Sequence, residues 1–289
     1  MKIRVPATSA NLGPGFDSCG IAVDSYLTIE IGKPSEKWMI HHDLGSEIPT
    51  DETNLLIETA KIVASYITPH IIYMDTDIPM TRGLGSSSSV IIAGIELANY
   101  LENLGLSKQE KINIATQMEG HPDNVVPAIC GGFVVASYID DEVIYLKSDF
   151  PECSLIAYIP EEKLLTTTSR NVLPKNFDYA NAVKASSIAN VMVAHILKGN
   201  LELAGKMMEK DLFHEKFRKE LVPQLEQIRK INEKLKGYAV YLSGAGTTIM
   251  ILTPEEKREE FINELQKLPY NAEIRELNID TKGACLIAE

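Results

Sequence analysis

Along the chain the apolar positions alternate, then recur at helical spacing, then alternate again. Residues 2–6 and 27–31 carry the every-second-residue pattern of strands, and 38–42 make a further short one before a polar loop that ends near Thr53. Residues 55–66 predict a helix and 70–74 a short apolar strand. That strand leads through a glycine- and serine-rich stretch into an apolar, helix-forming segment over 90–101. Ser107-Lys108-Gln109-Glu110 is a capping box that opens a helix reaching Met118. Strands follow at 132–138, 143–146 and 155–159. The pattern then changes, so Asp149-Phe150-Pro151 divides an N-terminal lobe (1–150) from a C-terminal one (151–289). Beyond it 179–197, 201–212 and 223–235 predict helices, and 239–242 and 248–252 strands. Thr253-Pro254-Glu255-Glu256 combines an N-cap, Pro at N1 and Glu at N3, predicting a helix to about residue 268, with strands near Ile274 and Leu286. The expected class is α+β, in two lobes.

The 289 residues, 45% of them hydrophobic, suffice for a sizeable core. With 28 Lys and Arg against 40 Asp and Glu, the formal charge of −12 argues against nucleic acid or an anionic membrane as partner. An anionic ligand must then be held by locally placed basic groups. No apolar run approaches a membrane span and the N-terminus lacks a signal-peptide core, so a soluble cytoplasmic protein is expected. Cys19, Cys130, Cys153 and Cys285 are far apart and form no CxxC pair, which argues against a zinc site or a disulfide framework.

Candidate chemistry concentrates in three glycine-rich segments. In the stretch Pro79-Met80-Thr81-Arg82-Gly83-Leu84-Gly85-Ser86-Ser87-Ser88-Ser89, the two glycines allow a tight turn and close approach to a ligand. The unpaired N–H groups of the following helix, its dipole and four hydroxyls suit an anion, and phosphate above all. A turn that only caps its helix is the other reading. The P-loop lysine is missing, and Ser88 stands where a dinucleotide fingerprint has its third glycine. The first segment, Pro6-Ala7-Thr8-Ser9-Ala10-Asn11-Leu12-Gly13-Pro14-Gly15-Phe16-Asp17, reads as a loop after the first strand. The third, Ser243-Gly244-Ala245-Gly246-Thr247, reads alone as a hairpin turn or a second close-approach loop.

Taken together and in this order, the three segments resemble the motifs of the GHMP kinase superfamily, over nearly the whole chain. The form of the first, with the later Glu119-Gly120-His121-Pro122-Asp123-Asn124, looks most like the homoserine kinase branch. Thr247 departs from the proline more often seen in the third motif, and Ser88-Ser89 from alanines in the second. The resemblance implies ATP-dependent phosphorylation of the L-homoserine side-chain hydroxyl, on the two-lobed fold of that superfamily with the ATP loop between a strand and a helix. It implies that residues 79–89 hold ATP and that Ser87 and Glu119 hold Mg²⁺. Asn11, Asp17, His121, Asn124, Thr166, Arg170 and Arg218 would bind the zwitterionic acceptor, the arginines taking its carboxylate and Asp17 with Asn11 its ammonium. Asp123 and Asn124 compete for the place beside the reacting hydroxyl, as general base or as positioning amide. A homodimer stays open. His41, His42, His70, His195 and His214 carry no motif and read as surface or packing residues. The competing functions are another small-molecule kinase of the superfamily, acting on an isoprenoid or sugar alcohol, and an inactive ligand-binding regulator.

Overall fold

The computed structural model describes residues 1–288. The chain opens with β1 (Lys2–Ala10) and β2 (Cys19–Pro34), antiparallel partners joined by a turn that carries Asn11 and Asp17. β3 (Met39–His41), α1 (Leu55–Val63) and β4 (His70–Thr76) follow, β4 running antiparallel to β2 and parallel to β3. Next come α2 (Ser86–Leu101), α3 (Lys108–Glu119) and α4 (Val125–Cys130), with α2 and α4 lying against β1 and β2. β5 (Phe133–Ile139) pairs with the start of β2, and β6 (Glu142–Ser148) with β5.

β7 (Ser154–Pro160) begins a second, antiparallel sheet. Five helices come before its next strands: α5 (Thr166–Asn171), α6 (Tyr179–Leu197), α7 (Leu201–Met208), α8 (Glu215–Arg218) and α9 (Gln224–Leu235). The hairpin of β8 (Ala239–Leu242) and β9 (Ile249–Thr253), then a 3-10 turn, α10 (Arg258–Leu265) and β10 (Ala272–Leu277), complete the order β10-β7-β9-β8. β11 (Cys285–Ile287) returns to pair with β1. The larger sheet thus takes β1 to β6 and β11, and the smaller one lies after the expected lobe boundary.

Three strands of the smaller sheet, β7, β8 and β9, are buried on both faces, and the edge strand β10 is not. Along β7, Leu155, Ala157 and Ile159 join the core shared with the larger sheet, while Ile156 and Tyr158 face a second core with Leu225, Ile228 and Phe261 of α9 and α10. Period-two geometry sends alternate residues to opposite faces, so a strand covered on both sides reads as a continuous apolar run. This burial fixes the β8–β9 turn, which lines the site, and the end of β7, to which Arg82 of the loop before α2 donates.

The capping box is present as read: Ser107 accepts from the Glu110 N–H, and the Glu110 carboxylate accepts from the Ser107 N–H at 2.8 Å. Other boundaries move. β1 runs on through Pro6 to Ala10, so half of the first motif is strand and only the rest is loop. α2 starts at Ser86 and not at residue 90, because the serines form its first turn. α7 stops at Met208, where the chain turns to bring Asp211 under α8. Thr253 is no N-cap: it ends β9, and Glu255–Lys257 is a 3-10 turn before α10. The short helices α4, α5 and α8 escaped the sequence reading, having too few turns to show a period.

Candidate active site

A cavity of about 360 Å³ takes its walls from the β1–β2 turn, the loop before α2, the ends of α3 and α4, α5, α8 and the β8–β9 turn. One end is made by backbone. Gly85 precedes α2 with φ 70° and no side-chain cap, and the first intrahelical bond is from Ser89 N–H to Gly85 O, so the N–H groups of residues 86–88 have no helical acceptor. A side chain at Gly85 would put its Cβ 2.2 Å from Thr8 Oγ1, and one at Gly83 would lie 2.2 Å from Ser243 O. The glycines are therefore required as much by the packing of the three motifs on each other as by a ligand. Ser243 Oγ donates to Gly83 O at 2.6 Å, Thr248 N–H donates to Arg82 O, and Gly244 N–H donates to Ala10 O. The third motif is both a hairpin turn and the clasp on the other two.

Among residues 79–89 the side chains divide. Met80, Thr81, Ser86, Ser87 and Ser89 line the cavity. Arg82 points away and donates to the Pro160, Met80 and Glu161 carbonyls, fastening the loop to the end of β7, while Pro79 borders an outer cleft with it. Leu84 is in the core, and Ser88 is buried with its Oγ unpartnered. Ser87 Oγ donates to Glu119 Oε2 at 3.3 Å, so residues 32 apart in the chain meet at the positive end of α2. A hydroxyl and a carboxylate there form a donor set suited to a hard divalent cation.

Beside this end lies an apolar recess of Leu44, Ile48, Pro49, Leu55, Met74 and Val90. It has the chemistry to hold a planar base. The sequence reading passed over residues 44–49 as polar loop, since they carry no periodic signal.

The other end is made by side chains. Asn11 is buried, donates through Nδ2 to Gly244 O at 3.0 Å and accepts the Asp17 N–H through Oδ1, so it braces two motifs and keeps one Nδ2 hydrogen for the cavity it lines. Asp17 forms a bidentate pair with Arg170, at 2.7 and 3.1 Å. Asn124 accepts from Thr8 Oγ1 at 2.8 Å through Oδ1, leaving its Nδ2 without a partner among the described residues. Asp123, 2% exposed, lies 2.5 Å from His121 Nδ1. Burial presses the His121 ring toward neutrality, but the hydrogen bond and charge of Asp123, with Asp17 beyond, more than offset it, and the pKa is raised. Ligand atoms of Asp17, His121 and Asp123 all fall within 4.8 Å of one another. Thr166 is exposed at the start of α5, on the rim.

Arg218 is 2% exposed. It donates to Ser169 O at 3.1 Å, to Gly244 O at 3.0 Å and to His214 Nδ1 at 2.9 Å. Within ion-pair distance it has no carboxylate among the described residues. Burial, and then the neighbouring Arg170, lower its pKa to about 10. A buried cation held by neutral acceptors is an anion site in waiting. His214 corrects the sequence reading: it is fully buried and holds Arg218, neither a surface residue nor mere filling. Its offset of four residues from Arg218 was the available signal. Burial pushes the Cys19 and Cys153 thiols up to about 12.

Comparison with known proteins places this geometry. Residues 54–132 match the GHMP kinases N terminal domain and residues 192–271 the GHMP kinases C terminal domain. The chain is 59% identical to the homoserine kinase of Enterococcus faecalis, covering 98% of this chain and 99% of that protein. It is 52% identical to that of Listeria innocua, with the same coverage. The crystal structure of homoserine kinase from Cytophaga hutchinsonii superposes with a TM-score of 0.85 at 25% identity, over 99% of this chain and 97% of that one. No helix among the described residues is long and apolar enough to cross a membrane. By sequence, fold and motif order the chain belongs to the homoserine kinase branch of the GHMP kinases.

Proposed function

We propose that the cavity transfers the γ-phosphoryl group of ATP to the side-chain hydroxyl of L-homoserine, giving ADP and O-phospho-L-homoserine, in the cytoplasm. The observation that carries the acceptor is Arg218, a buried cation without a counter-ion, next to the Asp17–Arg170 pair. An amino acid brings both complements at once: an ammonium for Asp17 and a carboxylate for Arg170 and Arg218. A neutral sugar alcohol brings neither. Residues 1–150 are the nucleotide lobe, and residues 151–289 supply the arginines.

The backbone N–H groups at the start of α2 hold the phosphates, with the apolar recess for the base. Ser87 and Glu119 are the chain's residues for Mg²⁺, which when bound neutralises charge shared by the β- and γ-phosphates. Gly85 and Asn124 are neighbours, since a Cβ on Gly85 would lie 3.2 Å from Asn124 Oδ1, and this supports a role for the Asn124 Nδ2 beside the acceptor hydroxyl where it meets the phosphate. Asp123 is committed to His121 and serves as its anchor. A loose transition state needs little deprotonation of the nucleophile, and positioning by Asn124, with charge stabilisation from the helix terminus, suffices.

Phosphorus NMR of the product mixture tests the reading. With ATP, magnesium and L-homoserine a phosphomonoester resonance should grow as the ATP γ signal falls. A phosphomonoester from mevalonate or a sugar alcohol, with none from homoserine, would refute the acceptor assignment and leave the kinase fold untouched.

A further inference from the structure

His214 has no part in the reading above, yet it is a fully enclosed imidazole beside the acceptor end. Arginine only donates, so Nδ1 at 2.9 Å from Arg218 Nη1 must accept, and the ring is neutral with its proton on Nε2. That proton goes to Gly13 O at 3.0 Å, in the first motif. Asp211 sets the ring from below, accepting the His214 and Glu215 N–H groups at 2.9 and 2.7 Å. Phe16 stacks on the imidazole, centroids 5.1 Å apart and planes 22° apart. The same Phe16 ring carries both guanidinium carbons, Arg170 at 5.5 Å and Arg218 at 5.6 Å from its centroid.

Counting donors shows the consequence. Of the five N–H groups of Arg218, Nε spends one on Ser169 O and Nη1 spends two, on Gly244 O and His214 Nδ1. Only Nη2 is left for the cavity that Arg218 lines. The two carbonyls alone leave the planar guanidinium able to roll about the line that joins their oxygens, and the third acceptor, Nδ1, removes that freedom.

We propose that His214 is a positioning residue for acceptor recognition: its Nδ1 holds the Arg218 guanidinium in the roll that aims Nη2 at the substrate carboxylate, and its Nε2–H ties that roll to the first-motif loop. The proposal rests on Arg218 being the carboxylate clamp. His214→Asn keeps an oxygen acceptor at the Nδ1 position, whereas His214→Gln moves its amide to the Nε2 position and withdraws that acceptor. Steady-state kinetics should show the homoserine KM of His214→Gln raised about ten-fold, with ATP KM and kcat nearly unchanged, and that of His214→Asn raised about three-fold or less. Arg218→Ala is the control. If it leaves the homoserine KM unchanged, the clamp reading itself fails. If it raises KM while the two His214 variants shift it equally or not at all, the clamp stands and the role of His214 is overturned. Should His214→Gln not fold, ring ¹⁵N spectra of the unaltered enzyme decide: the Nε2–H tautomer with an Nδ1 signal that moves on adding homoserine is expected, and an Nδ1–H tautomer or an unmoved signal overturns the proposal.

Discussion

At the nucleotide end of the cavity the donors are N–H groups of a single helical turn, contiguous in sequence and aimed by the backbone. At the acceptor end they are side chains from the β1–β2 turn, the α3–α4 junction, α5 and α8, held by pairing with one another. The first kind of site is insensitive to which polar side chain it carries but intolerant of any change in backbone path. The second reverses this, since each group can be removed singly and its partner is left exposed to the loss. Mutations should therefore fall into two classes, separable by whether nucleotide or acceptor binding moves.

The largest effect belongs to the backbone-built end. Gly83→Ala drives a Cβ to 2.2 Å from Ser243 O in a left-handed conformation, and so wedges the second motif off the third. We expect kcat/KM for ATP to fall by about 10²-fold or more, with a lower melting temperature. Gly120→Ala is the matched control, with φ 88° but open space around its Cβ. It should lose only about 1–2 kcal/mol of stability and leave ATP binding intact. Equal damage from both would mean that strain, not packing, makes the glycines necessary.

Next come the acceptor-end pairs. If the free Nδ2 positions the hydroxyl, as proposed, Asn124→Ala should lower kcat more than Asp123→Asn does, since Asp123 is paired with His121. A larger kcat loss for Asp123→Asn, with native melting, would restore a general base. The two are separated further by pH. The His121 pKa is raised in the folded state, so the stability this pair contributes is fully present below the unfolded value near 6.5 and is lost as pH rises through the folded value. The melting-temperature gap between the unaltered protein and Asp123→Asn should accordingly narrow as pH rises above about 6.5. A gap that widens upward would contradict the pairing.

The proposed metal ligands lie between the two classes, Ser87 on α2 and Glu119 on α3. Glu119→Gln should weaken Mn²⁺ or Mg²⁺ binding to the nucleotide complex more than Ser87→Ala, since it removes charge as well as a ligand atom. Titration followed by manganese EPR reads this without relying on turnover. Equal effects would argue that Glu119 only orients the Ser87 hydroxyl.

The same contrast decides what could be read from the chain. The α2 loop, the α3 capping box and the hairpin turn were legible because local spacing dictates them. The groups Asn11, Asp17, Arg170 and Arg218 could be named from motif resemblance, but not their pairing. That Asp17 already holds Arg170, and that Asn11 braces the first motif to the third, depends on contacts between residues 153 and 233 apart in sequence. His214 and the recess of Leu44 and Ile48 were missed for one reason: they sit on short or aperiodic segments whose direction is set by the sheets beneath.

The smallest effect sharpens the comparison most. Four consecutive serines open α2, and if their backbone alone does the binding, a hydroxyl that faces neither cavity nor partner should be dispensable. Ser88 meets that description, at 1% exposure with Oγ unpartnered and its side chain outside the cavity. Removing a buried hydroxyl that lacks a partner relieves a desolvation cost of about 1–3 kcal/mol, offset by the small void left behind. Ser88→Ala should thus keep kcat and both KM values within about two-fold and leave the melting temperature unchanged or a few degrees higher. Ser87→Ala, one residue away, should instead lower Mg²⁺ affinity while leaving stability alone. If Ser88→Ala cuts kcat by about ten-fold with normal folding, its hydroxyl must turn toward the phosphates when nucleotide binds, and the nucleotide end is side-chain-built as well.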